Sequence, residues 1–162
     1  MNIGGDNSLA FFVGSEENAI GGMETHAKYF IGFFQNCGLL KCVVFRNQIR
    51  NCITNERYAY EASDELFQIL EFFGVKIMFF NDGHWVEKFD EIRHRYPNLI
   101  MIMRSGGNEF MKASVMDMSL PISNRRKIWA DSINQIDYII SNSAYSTHRM
   151  LNIGIKKGKI VL

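Results

Sequence analysis

Short apolar runs alternate along this chain with amphipathic stretches. The runs at residues 9–13, 39–45, 75–80, 99–103, 138–140 and 159–162 are almost wholly apolar, as strands of a parallel sheet are when both faces are covered. Between them, Met23, Ala27, Phe30, Ile31 and Phe34 recur at the helical period, as do Leu66, Ile69, Leu70 and Phe73. Trp85, Phe89, Ile92 and Tyr96 form a third stripe that Pro97 closes, and Ile128, Ile133 and Ile136 belong to a fourth helical stretch starting near Ser123. A short fifth helix over residues 145–152 ends at Gly154, a candidate left-handed cap. Strand and helix in alternation predict an α/β fold: a Rossmann-like, doubly wound parallel sheet in three α/β/α layers, one domain over residues 1–162.

In such a sheet ligands bind beyond the carboxyl ends of the strands, so function is sought in the strand-to-helix loops. Two connections are long. Residues 46–60 carry Arg46, Arg50 and Arg57, and residues 110–121 are rich in methionine; each reads as a binding loop, a lid or an ordered excursion.

Composition narrows the function classes. With 18 basic against 17 acidic residues no global field draws the chain to nucleic acid, so partners are recognised locally. The densest basic clusters, Arg93-His94-Arg95 and Arg125-Arg126-Lys127, are solvated helix faces or contacts to an anionic membrane surface. No apolar run approaches the ~20 residues a membrane-crossing helix needs. The three cysteines, Cys37, Cys42 and Cys52, and a start without a secretory pattern point to a reducing cytoplasm. Cys37 and Cys42 lack the spacing and further ligands of a zinc site and read as small apolar packing residues.

The segment Gly21-Gly22-Met23-Glu24-Thr25-His26 carries the most chemistry. A glycine pair opening a helix lets a ligand approach the backbone, and the first-turn N–H groups favour a phosphate; the bland reading is a turn. Neither a Walker Gly-x-x-x-x-Gly-Lys-Ser/Thr nor a dinucleotide Gly-x-Gly-x-x-Gly pattern occurs.

Gly-Gly-x-Glu-x-His at the start of the first helix resembles the signature of the retaining GT-B glycosyltransferases grouped as glycosyltransferase family 4. A second similarity runs over residues 136–162, where Asp137-Tyr138-Ile139-Ile140-Ser141-Asn142-Ser143 leads to Tyr145, Arg149, Leu151, Gly154 and Lys159-Ile160-Val161. The family has there a strand ending in serine, a short helix, a glycine and a strand entering the interdomain linker. The middle is looser, and where many relatives carry a histidine before a glycine this chain has Gly106.

The resemblance implies the acceptor-side, amino-terminal half of a two-domain enzyme that transfers a sugar from a nucleoside diphosphate donor to a hydroxyl of a glycan or lipid-linked acceptor. It implies retention of configuration, no cofactor or bound metal, a carboxyl-terminal donor domain outside residues 1–162, and a place in cell-surface glycan assembly, in the cytoplasm or at the inner face of the plasma membrane. Gly21, Gly22 and Glu24 would meet the donor diphosphate. Asn81, Asp82, His84, Arg104, Gly107, Asn108, Glu109, Ser143 and Arg149 would contact the acceptor. From the residues alone each has a plainer role: His84 as a helix cap or weak catalytic candidate, Glu24 as a partner of the helix dipole, Arg104 in a salt bridge, His26 in packing or hydrogen bonding. The binding subunit of a split transferase, a nucleotide-sugar epimerase or phosphorylase on the same frame, and a non-enzymatic interaction domain stay open. Tyr29 and Phe33, off the main stripe of their helix, are expected to be exposed.

Overall fold

The computed structural model describes residues 8–12, 22–37, 41–45, 48–51, 57–59, 63–81, 86, 88–105 and 122–162. The fold is α/β and Rossmann-like, as the apolar rhythm predicts, and its residues fall into two compact units, 1–81 and 82–162.

In the first unit β1 (Ser8–Phe12) leads to α1 (Gly22–Cys37) and β2 (Lys41–Phe45), then to β3 (Gln48–Asn51), β4 (Arg57–Ala59), α2 (Ser63–Phe72) and β5 (Val75–Phe80). The strand order is β4-β3-β2-β1-β5. β1 pairs in parallel with β2 on one side and β5 on the other, whereas β3 and β4 are antiparallel. The expected long loop over residues 46–60 therefore carries a two-stranded extension of the sheet. Its short strands contain polar residues, and this hid them from a search for apolar runs.

The chain moves from β1 outward to β2 and later returns to the far side of β1. Right-handed crossovers then place α1 and α2 on opposite faces. Side chains agree. The Phe30 ring of α1 lies 4.4 Å from Phe11 and 4.8 Å from Phe79, which share one sheet face in register. On the opposite face Ala10, Met78 and Phe80 are fully buried, and α2 packs against β5 with Leu66, Phe67 and Leu70 buried. Tyr29 and Phe33, at 75% and 62% exposure, stand clear of the core as their helical phase predicts.

In the second unit α3 (Phe89–Arg95), β6 (Ile100–Arg104), α4 (Ile122–Ile133), β7 (Tyr138–Ile140), α5 (Ala144–Asn152) and β8 (Ile160–Val161) follow in order. The strands are parallel and run β6-β7-β8 without a reversal. Successive right-handed crossovers in one direction put α4 and α5 on the same face. That face buries Met101, Met103 and Ile139, while Ile100, Tyr138, Ile140 and Val161 on the other are exposed. The expectation that every strand is covered on both faces fails for these strands. The fourth helical stripe also shifts: Trp129, Ala130 and Ile133 are buried and Ile128 is exposed, since residues 128 and 133 lie five apart and do not share a helix face.

The amino-terminal edge of this unit is locked by polar bonds. Arg93 donates to the carbonyls of Pro97, Leu99 and Gln135 and, at 2.7 Å, to the Asp137 carboxylate, which also accepts the Met101 N–H. Arg93 is thus an internal tie, so of the surface cluster expected at residues 93–95 the exposed members are His94 and Arg95. Lys159 Nζ donates to the carbonyls of Asn134 at 2.7 Å and Ile136 at 2.5 Å, just past the end of α4. Among the described residues no helix is long and apolar enough to cross a membrane, and no cluster of His, Cys, Asp or Glu could hold a metal. The cysteine side chains and residues 106–121 lie outside the described residues.

α5 ends in a Schellman motif: Ile155 N–H donates to Met150 O, Gly154 N–H donates to Leu151 O, and Gly154 has φ +98°. A Cβ at Gly154 would meet nothing within 4 Å, so the whole penalty of a side chain there is backbone strain. Gly154→Ala should lower stability by about 1–2 kcal/mol, read as a reduced urea midpoint.

Desolvation, the largest influence on Lys159, lowers its pKa against the weaker pull of Asp137. Above the depressed folded pKa the native lysine sheds its proton while the unfolded one still holds it, so stability rises with pH toward the ordinary lysine range. The rise in urea midpoint between about pH 7 and pH 10 should be flatter in Lys159→Met than in the parent chain; equal slopes would contradict this.

Candidate functional site

The strand order of the first unit reverses at β1, which makes it a switch point. Where a parallel sheet changes winding direction, the loops beyond the carboxyl ends of the two diverging strands separate, and ligands enter there. Here the diverging strands are β1 and β5. Gly22 is the first residue of α1, the helix after β1, and Asn81 immediately follows β5.

His26 and Asn81 join these two elements. His26 Nδ1 lies 2.6 Å from Asn81 Oδ1. A carboxamide oxygen only accepts, so Nδ1 carries the proton of this bond. Asn81 is 0% exposed, and the half-buried His26 ring lies 5.8 Å from Phe30 and 6.4 Å from Phe79. The bond therefore ties the first turns of α1 to the end of β5. The expected hydrogen-bonding role of His26 is what the geometry displays, and Asn81 is a buried strut for the site.

Gly22 is exposed, and a Cβ built on it meets nothing within 4 Å. Its backbone is accordingly open to an approaching group. Glu24 lies half-buried in the first turn of α1. Gly21, Asp82, His84, Gly107, Asn108 and Glu109 lie outside the described residues, as does Gly106.

The remaining expected residues belong to the second unit. Ser143 is the N-cap of α5, accepting the Ser146 N–H at 3.1 Å. Arg149 donates to Tyr145 Oη at 3.2 Å and places its guanidinium over that ring, 5.7 Å from the centroid. Both have local structural work. Arg104 ends β6 and keeps Nη1 buried without a hydrogen-bond partner among the described residues. Ser105 Oγ and Trp129 Nε1 are likewise buried and unpartnered.

Sequence reasoning missed Ser105 and the hydroxyls around α5. Thr147 Oγ1 donates to Ser141 Oγ at 2.8 Å, Ser141 Oγ to Ser143 O at 2.9 Å, and Ser146 Oγ to Asn142 Oδ1 at 2.7 Å. The available signal was a serine at the end of a strand, in phase with the buried Met101 and Met103.

Comparison with protein-family models, curated proteins and solved structures finds no match to this chain.

Replacing Asn81 by Ala removes the carboxamide that meets His26 and leaves a small void. The expected loss is about 1–3 kcal/mol of unfolding free energy, and the His26 ring resonances should shift; an unchanged urea midpoint would contradict the strut.

Proposed function

We propose that this chain is the acceptor-side domain of a retaining glycosyltransferase. On this reading a sugar passes from a nucleoside diphosphate donor to an acceptor hydroxyl, in the assembly of a cell-surface glycan or a glycolipid. The supporting observation is the opening of α1 at the switch point between β1 and β5. The sterically open Gly22 there stands one turn before His26, which is held by buried Asn81.

Departure of a nucleoside diphosphate builds negative charge, and preorganised donors aimed at that charge lower the barrier. The first-turn N–H groups of α1 are such donors, with the partial positive end of the helix dipole behind them. Gly22 keeps their approach clear. His26 fixes the direction of the helix without having to exchange a proton. The nucleotide itself would be held by a carboxyl-terminal domain outside residues 1–162, and no metal is needed to neutralise the leaving group.

The test is a hydrolysis and transfer assay with uridine and guanosine diphosphate sugars on the full-length gene product and on residues 1–162 side by side. Release of nucleoside diphosphate by the full-length protein is expected. Gly22→Val places a branched side chain where space is open, so it should cut turnover by about tenfold or more, worth ~1.4 kcal/mol of barrier, with the melting temperature unchanged. Full activity in Gly22→Val, or no release with any donor, would remove the reading.

A further inference from the structure

We propose that the uncovered face of β6, β7 and β8 is a docking surface for an amphipathic helix of a partner polypeptide, one that carries a carboxylate at the end of its apolar stripe. The assignment stands apart from the transferase reading.

The surface follows from register and alternation. Ile102 lies beside Tyr138, and Arg104, Ile140 and Val161 form one row across the three strands. Side chains two apart share a sheet face. Ile100, Ile102 and Arg104 therefore join Tyr138, Ile140 and Val161 on the face opposite the buried Met101, Met103 and Ile139. On it Ile100, Tyr138, Ile140 and Val161 are 43%, 52%, 37% and 46% exposed. Parallel strands ordinarily carry helices on both faces, and α4 and α5 cover only one.

Size suits a helix. From Ile100 to Arg104 the strand runs about 13 Å, the length of a helix of about nine residues. Such a helix lays an apolar stripe of a few side chains against an apolar surface of this extent.

Charge narrows the choice. Arg104 is the one charged residue of β6, β7 and β8, and its Nη1 is buried with no hydrogen-bond partner among the described residues. A buried guanidinium N–H left unsatisfied is costly, and a carboxylate is its strongest complement. The described carboxylates of the second unit are engaged elsewhere. Asp137 accepts from Arg93 and the Met101 N–H, Glu91 pairs with Lys88, and Asp90 accepts from Ser132 of α4. Asp131 belongs to α4, on the covered face. A second copy pairing face to face would set this patch against itself, bringing another arginine and no acceptor. A lone cation also falls short of the basic cluster that an anionic bilayer recognises. An acidic end on a partner's apolar helix answers both the exposed row and the orphan N–H.

The probe is a synthetic amphipathic peptide of about 15 residues, with leucines at helical spacing and glutamates at both ends of the stripe. It is titrated into the 162-residue chain and followed by amide chemical shifts. Saturable shifts centred on β6, β7 and β8 are expected, with a shift of the Arg104 Nε–H resonance. Glutamine in place of the peptide's glutamates, or Arg104→Met in the protein, should each weaken binding about tenfold, and the two losses should not add. Tyr138→Ser, at an exposed position, provides an arm that does not depend on Arg104 variants folding. It should weaken binding about tenfold with the melting temperature unchanged. Absence of saturable binding would overturn the proposal, as would equal affinity for the two peptides or for Tyr138→Ser and the parent chain. Self-association of the chain alone in sedimentation equilibrium, lost in Tyr138→Ser, would overturn it by assigning the face to a second copy. Loss of peptide binding in the full-length gene product would overturn it by assigning the face to a segment of the same polypeptide.

Discussion

A parallel strand followed by a crossover helix imposes a polarity on everything around it. Helices run back against the strands, so their carbonyl ends gather at the amino edge of the sheet and their N–H ends at the carboxyl edge. Two arginines of the second unit show the consequence. Arg93 at the amino edge finds the carbonyls of Pro97, Leu99 and Gln135 as well as Asp137, and Lys159 finds those of Asn134 and Ile136. Arg104 at the carboxyl edge, where backbone donors collect, keeps a buried N–H without an acceptor. Cations are satisfied by the protein itself at one edge, and donors accumulate at the other.

The direction of winding decides what the two units do with that polarity. Reversal at β1 spreads α1 and α2 over opposite faces and leaves the N–H end of α1 at the switch point, beyond the carboxyl end of β1. The second unit winds one way only. Its helices share a face, and the donors at its carboxyl edge come from neighbouring strand ends and α5, without a switch point. The same asymmetry exposes Tyr138 and Ile140 on the face that no crossover helix of this unit covers.

Apolar runs made the parallel strands legible, and the expected ranges 75–80 and 138–140 coincide with β5 and β7. A run of apolar residues reports burial of a strand in a sheet but carries no record of which face a helix covers. That is why the exposure of Ile100 and Tyr138 was not foreseen. Polar β3 and β4 gave no apolar signal because they extend the sheet through backbone pairing at its edge. The cap at Gly154 was legible, since positive φ selects glycine from local geometry alone. Of the candidate site, Gly22, His26 and Asn81 were each visible as residues, while the bond between His26 and Asn81 was not. It spans 55 positions, and such a pairing exists only once the winding order is known.

That bond also explains why a glycine and a histidine belong to one motif four residues apart. A helix N-terminus attracts an anion only as well as it is aimed, because the dipole effect fades within a turn. His26 lies one turn in from Gly22, on the side of α1 that meets β5, and Asn81 holds it from a fully buried position. A side chain at residue 22 would project into open space, so glycine is not required there for packing. On the proposed reading, glycine contributes clearance for a ligand at the end of the helix, and histidine contributes a fixed direction for that end. Clearance without direction would leave the donors mobile, and direction without clearance would leave them unreachable; the two residues are complementary parts of a single device for presenting backbone N–H groups.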